Sequence, residues 1–255
     1  MPILSLRNLH KRFGRLRVLD GVSLEIEAGQ TLVVLGPSGT GKSVLLKHIV
    51  GLLKPDRGEV YFEGQRIDNL AERDLSRVRE NFGFLFQMGA LFDSLTNLDN
   101  VGFPLKEHTT LSPEAIAKTA LEKLDMVGLP EVGPKMPGEL SGGQRKRVAL
   151  ARAIAMNPKV ILYDEPTTGL DPIRSDVINE LILKLRNELK VTSIVVTHDM
   201  NSAFKVADRI VMLHEGKLLF DGTAETIRES DDPIVRRFIA GEAGDDELAW
   251  LRHKK

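Results

Sequence analysis

Thr31-Leu-Val-Val-Leu35 runs straight into Gly36-Pro-Ser-Gly-Thr-Gly-Lys-Ser43. The first five residues form a continuous apolar run, the pattern of a strand buried on both faces. The next eight match G-x-x-x-x-G-K-[S/T], a glycine-rich turn that opens a helix. Glycines let the backbone curl until several N–H groups face one point, and the helix N-terminus adds its dipole. Gly36, Pro37, Ser38, Gly39, Thr40, Gly41, Lys42 and Ser43 are therefore expected to cradle phosphate. Lys42 would reach the β- and γ-phosphates of a nucleotide, and Ser43 Oγ would ligate Mg²⁺. Leu45, Ile49, Leu52 and Leu53 recur at i, i+4, i+7 and i+8, which predicts one apolar face on the helix that follows.

Further along, two more buried runs each end in residues that carry chemistry. Residues 159–163 (KVILY) lead into Asp164 and Glu165, and Ile194 to Thr197 (IVVT) lead into His198. With a phosphate loop upstream, Asp164 is expected to hold Mg²⁺ through water, and Glu165 to orient and polarise an attacking water. Residues 3–9, 18–27 and 59–62 read as further strands, and 81–87 as a strand that ends on Gln87. Residues 209–213 and 217–220 read as a hairpin turning at Glu215-Gly216. From about 88 to 155 the pattern is mainly helical, and 226–241 reads as one more helix. Strands alternating with helices predict an α/β fold with a mainly parallel sheet, its ligand at the carboxyl ends of the strands.

Leu140-Ser-Gly-Gly-Gln144, followed by RKRVALARAIA, is a second glycine-rich helix start, with Ser141 as N-cap. It offers a second anion site. One nucleotide does not need two such sites, so Ser141, Gly142, Gly143 and Gln144 are expected to serve the phosphate loop of another copy.

Composition bounds the rest. The chain has 255 residues, enough for one large α/β domain, alone or with an inserted subdomain. Its formal net charge of -1 argues against a generic nucleic-acid binder. It has no cysteine, which excludes disulfides, thiolate chemistry and Cys-zinc sites. No run approaches the ~20 apolar residues of a membrane span, so work at a membrane would need another chain to supply the membrane part.

Taken together, these motifs resemble those of ATP-binding cassette (ABC) ATPases across about residues 3–225. The resemblance implies a P-loop NTPase (RecA-like) core with a mainly parallel sheet, an N-terminal antiparallel β subdomain and an inserted helical subdomain. It would span residues 1–240, with the helical insertion at about 88–155 and a tail at 241–255. The resemblance also implies roles. Phe13, in place of the more usual Tyr, would stack on adenine. Gln87 would link the γ-phosphate and Mg²⁺ to a transmembrane partner. Thr168-Gly-Leu-Asp171 would touch the opposite protomer, and His198 would contact the γ-phosphate. ATP and Mg²⁺ are the implied cofactors, and a head-to-tail homodimer the implied assembly.

The phrases FQMGALFDSLT (86–96), NVGFPLKEHT (100–109) and DDPIVRRFIAG (231–241) resemble the ATPases of Mla-type (maintenance of lipid asymmetry) phospholipid transporters of bacteria. That resemblance implies a peripheral protein on the cytoplasmic face of the inner membrane. It would sit under an integral permease, move phospholipid to and from periplasmic carriers, and bind a small regulatory domain protein. Met88, Leu91 and Phe92 would supply apolar contacts to the permease. The alternatives are an ABC ATPase for another cargo and a non-transport ABC protein acting on DNA or ribosomes. The latter class usually carries a coiled-coil insertion or two fused cassettes, and this chain has neither. Arg145-Lys146-Arg147 reads as a solvated helix face rather than a nucleic-acid site. The tail, with Leu248, Trp250 and Leu251, reads either as a frayed terminus or as a short element docking on a partner.

Overall fold

The computed structural model describes residues 2–243. The tail residues Leu248, Trp250 and Leu251 lie outside the described residues. In chain order the strands are β1 Leu4–Phe13, β2 Leu16–Ile26, β3 Thr31–Leu35, β4 Arg57–Phe62, β5 Gln65–Arg66, β6 Phe82–Leu85, β7 Val160–Asp164, β8 Thr192–Val196, β9 Arg209–His214 and β10 Lys217–Gly222. The helices are α1 Lys42–Ile49, α2 Glu72–Arg79, α3 Asn97–His108, α4 Pro113–Met126, α5 Gly142–Ala153, α6 Pro172–Leu189, α7 Met200–Val206, α8 Ala224–Arg228 and α9 Pro233–Ala240.

The strands form two sheets. One runs β10-β9-β3-β8-β7-β6, with every neighbouring pair parallel except the β9–β10 hairpin at its edge. The other runs β2-β1-β4-β5 and is antiparallel throughout. The fold is thus the mixed α/β architecture that the sequence predicts.

Burial explains why β3, β7 and β8 read as unbroken apolar runs. Side chains alternate across a strand. Val33, Leu35, Ile161, Tyr163 and Val195 join a core under α5 and α6. Leu32, Val34, Val160, Leu162, Ile194 and Val196 point the other way, into a core shared with β1, β2 and α1. Both faces are covered, so neither could be polar. The carboxyl ends of β3, β7 and β8 lie side by side, since Val34 pairs with Val196 and Asp164 also pairs with Val196. Between β6 and β7 the chain is helical apart from its loops. There α3 packs on both α4 and α5.

Several boundaries differ from expectation. Helix α1 stops at Ile49 because Gly51 takes a left-handed φ of +67° beside Leu75, and Leu52 is left exposed rather than on an apolar face. Strand β6 stops at Leu85, and Gln87 lies in the turn beyond it, closed by Gly89 N–H donating to Phe86 O at 2.8 Å. The helix expected over 226–241 is two helices. Asp232 accepts from the N–H groups of Ile234 and Val235 and starts α9 afresh, with Pro233 at its first position.

Candidate functional site

The phosphate-loop sequence is shaped by its neighbours. At Gly36 an added Cβ would sit 2.3 Å from Leu213 O on β9, so only glycine lets β3 and β9 meet there. Gly41 has φ +101°, and a Cβ would fall 2.8 Å from Val18 Cγ1. Thr40 Oγ1 donates to Pro37 O at 2.9 Å and ties the loop to itself.

Lys42, the first residue of α1, is only 6% exposed. Its Nζ donates to Gly36 O at 2.7 Å and Pro37 O at 3.0 Å, and lies 3.9 Å from Glu165 Oε1. Burial lowers its pKa, against the opposing pull of Glu165 and Asp164. Ser43 Oγ donates to Asp164 Oδ1 at 2.9 Å, although 121 residues separate them. Burial raises the Asp164 pKa, and the Ser43 hydrogen bond opposes that shift. Glu165 sits past the end of β7 with φ +51°, a conformation few non-glycine residues adopt. Its Oε2 takes His198 Nδ1 at 2.8 Å and the Thr168 hydroxyl at 3.2 Å.

Phe13, Ser38, Gly39, Gly41, Lys42, Ser43, Gln87, Glu165 and His198 line one open cleft of about 450 Å³. Phe13 stands at its rim, 48% exposed, with Lys11 Nζ 5.6 Å from the ring centroid. Leu16 and Val18 also line the cleft. The sequence reading missed both, because on β2 they look like ordinary strand residues. The hydroxyl of Ser43 and the carboxylate of Asp164 bring hard oxygen donors to one point, the donor set that suits Mg²⁺. Among the described residues no group of three or more His, Cys, Asp or Glu is placed to hold a metal by itself. A cation there would share these two donors with phosphate oxygens and water.

Ser141 to Gln144 do not line this cleft. Ser141 caps α5 by accepting from Gln144 N–H at 3.3 Å, while the Gln144 side chain accepts from Ser141 N–H at 3.0 Å. The run that follows is a solvated face only in part. Lys146 is 7% exposed and donates to the carbonyls of Pro166 and Thr168, both at 2.7 Å. Arg145 donates to Leu140 O, and Arg147 to Val127 O and Gly128 O. Lys146 is thus turned inward, whereas Arg145 stays exposed and Arg147 half-buried while each also ties down backbone. Asp171, at the end of the Thr168-Gly-Leu-Asp171 stretch, caps α6 by accepting from Arg174 N–H at 3.0 Å.

A second groove, of about 510 Å³, lies beyond Gln87. Phe84 stacks on Phe86 at 4.1 Å and Phe92 meets Phe103 at 4.7 Å along its wall. Arg152 of α5 donates to Gly89 O and Ala90 O, and so ties the Gln87 turn to that helix. Of Met88, Leu91 and Phe92, the last lines this groove. Leu91 packs on the core, and Met88 stands 88% exposed away from the lining. The period-two pattern Phe82, Phe84, Phe86 carried the signal for the wall, since alternate residues share one face.

Comparison with known proteins adds three findings. The family model described as ABC transporter matches residues 19–168. Over 238 residues the chain is 44% identical to "Probable ribonucleotide transport ATP-binding protein mkl" of Mycobacterium leprae, covering 93% of this chain and 69% of that one. It is 43% identical over 241 residues to the "Intermembrane phospholipid transport system ATP-binding protein MlaF" of Haemophilus influenzae, covering 94% and 91% respectively. Its structure superposes on the dimeric ATP-binding cassette MJ0796 bound to ADP and Pi with a TM-score of 0.80 and 39% identity, over 87% of this chain and 98% of that one.

Proposed function

This chain belongs to the ABC transporter family, and on that premise we propose that it is the ATP-hydrolysing subunit of a bacterial transporter of phospholipid. The observation that carries the cargo is the match to MlaF along 91% of that protein's length. The match to Mkl, whose name gives ribonucleotide as cargo, spans 69% of that protein.

The cleft supports the following division of labour. Backbone N–H groups of residues 38–43 and the Lys42 ammonium hold the phosphates, and the Phe13 ring faces adenine. Mg²⁺, held by Ser43 and Asp164 with Gln87 nearby, would neutralise charge on the phosphate oxygens. Glu165 orients and deprotonates the attacking water, and His198 steadies the γ-phosphate. The α5 start of a second copy, Ser141 to Gln144, covers the nucleotide from the other side. Two ATP molecules then hold two chains head to tail, and loss of the γ-phosphate contacts lets them part.

Among the described residues no helix is long and apolar enough to cross a membrane. We assign the membrane work to a permease, seated in the aromatic groove beyond Gln87, with the chain peripheral on the cytoplasmic face of the inner membrane. The test is reconstitution. The chain is combined with an integral membrane protein that co-purifies with it, and the complex is placed in vesicles holding fluorescent phospholipid. ATP-dependent movement of the lipid is expected. Movement of ribonucleotide and not of lipid would transfer the cargo to the other reading. Salt-sensitive nucleic-acid binding with no membrane partner would overturn the transporter reading.

A further inference from the structure

Lys146 lies two residues beyond Leu140-Ser-Gly-Gly-Gln144, on the buried side of α5. A lysine is seldom buried unless its charge is partnered. Here Nζ donates to Pro166 O at 2.7 Å, Thr168 O at 2.7 Å and Glu165 O at 3.4 Å. An ammonium has three donors, and these three carbonyls use all of them. Burial pushes Lys146 down to about 8, and the charged form still prevails at neutral pH.

The three carbonyls belong to the turn that follows β7, outside any sheet ladder. That turn begins with Glu165 at φ +51°, and its Thr168 hydroxyl reaches the Glu165 carboxylate at 3.2 Å. Carbonyl oxygens that converge on one point repel each other, and a cation at the focus turns that repulsion into attraction. A single buried charge therefore holds the backbone at and just after the residue assigned to the water. It does so from the helix whose first turn is assigned to the other copy's nucleotide.

We propose that Lys146 is a positioning residue for hydrolysis, which fixes the 165–168 turn and so links the signature helix, closed over the partner's nucleotide, to the Glu165 carboxylate of its own chain. The inference rests on the proposed role of Glu165 as the group that activates water.

The test compares K146M, K146Q and K146R with E165Q in the full-length chain, reading steady-state ATP hydrolysis and the binding of a fluorescent ATP analogue. Lys146 does not line the nucleotide cleft. K146M and K146Q should therefore keep analogue affinity and KM within about twofold, while kcat falls about 10- to 100-fold, the scale of a misplaced catalytic group. K146R keeps the charge and should recover part of kcat. Wild-type kcat in K146M overturns the inference, as does a parallel loss of affinity and kcat. Absence of analogue binding in both K146M and K146Q also overturns it, because Lys146 would then act only in folding. An inactive E165Q beside a fully active K146M removes this inference alone, whereas a fully active E165Q removes the assignment of Glu165 itself.

Discussion

His198 Nδ1 lies 2.8 Å from Glu165 Oε2. The other oxygen of the same carboxylate lies 3.9 Å from Lys42 Nζ. Glu165 thus gathers the two basic side chains that the proposed mechanism gives to the γ-phosphate. A γ-phosphate that draws both away leaves the carboxylate free to take a proton from water. Nucleotide binding and activation of the base would then be one event.

Replacing Glu165 with Gln tests this arrangement. The amide keeps the size of the side chain and loses its ability to accept a proton. Turnover should fall about 10²- to 10⁴-fold, the range that general-base catalysis supplies. ATP binding should persist, and the ATP-bound dimer should accumulate on gel filtration. Full turnover in the variant would remove Glu165 from the role of base.

Lys42→Ala addresses binding instead. A hydrogen bond to a charged group is worth about 1.5–3 kcal/mol, or about 10- to 100-fold in affinity. Titration with a fluorescent nucleotide should show a loss on that scale. The Lys42 ammonium also bridges Gly36 O and Pro37 O across the loop, so part of the loss will come from a looser loop. Unaltered affinity would contradict the assignment of the phosphate loop.

The central strands and the tips that carry Gly36, Asp164 and His198 were legible in the sequence. Burial on both faces leaves a continuous apolar run, and chemistry begins where the run stops. What escaped was set by residues distant in sequence. Strand β1 continues past Leu9 to Phe13 by pairing with β2, from His10 with Asp20 to Phe13 with Leu16, while Lys11 Nζ and Arg12 N–H reach the distant Asp56 carboxylate at 3.0 and 2.7 Å. Lys146 looked like part of a wet face because charge patterning is silent about carbonyls about twenty residues downstream. Two misplaced boundaries did carry a local signal. Gly51 marks the end of α1, and Asp232-Pro233 is an N-cap followed by a helix-initiating proline.

Gly143→Ala separates the chain's own fold from its contact with a partner. A Cβ at this position would meet only the flexible Arg174 side chain, nearest at 3.5 Å, an ordinary contact. Alanine also favours helix over glycine by up to about 1 kcal/mol. The thermal midpoint of the isolated chain should hold or rise, and ATP-analogue affinity should hold. Against a nucleotide closed over from the other copy, the added methyl overpacks by roughly 1–3 kcal/mol. ATP-driven dimerisation should weaken about ten- to a hundredfold, with hydrolysis falling alongside. A lower thermal midpoint with intact dimerisation would return Gly143 to a purely structural part.

His48 predicts how stability depends on pH. It lies on α1, the helix that presents Lys42 and Ser43, and is 1% exposed. Its Nδ1 donates to Val44 O at 2.7 Å, while its buried Nε2 has no partner. A proton on Nε2 would place a charge in a buried site, a cost that the Lys54 carbonyl and the Asp56 carboxylate offset only in part. Burial accordingly lowers the His48 pKa below its ordinary 6.5, and the nearby Lys11 ammonium adds to the shift. The unfolded chain takes up this proton near 6.5, and the folded chain only at lower pH. Stability contributed by His48 is therefore fully present above about pH 6.5 and is lost as pH falls toward the folded-state value. Asp164, whose pKa is raised by burial, contributes with the opposite sign, so the wild type must be read against a variant that changes His48 alone. His48→Gln cannot titrate. Urea midpoints taken at about pH 7.5 and about pH 5.5 should drop further for the wild type than for the variant. Equal drops would mean that the folded protein tolerates a charged His48, and would exclude this ring as a source of acid sensitivity in the helix that carries the phosphate site.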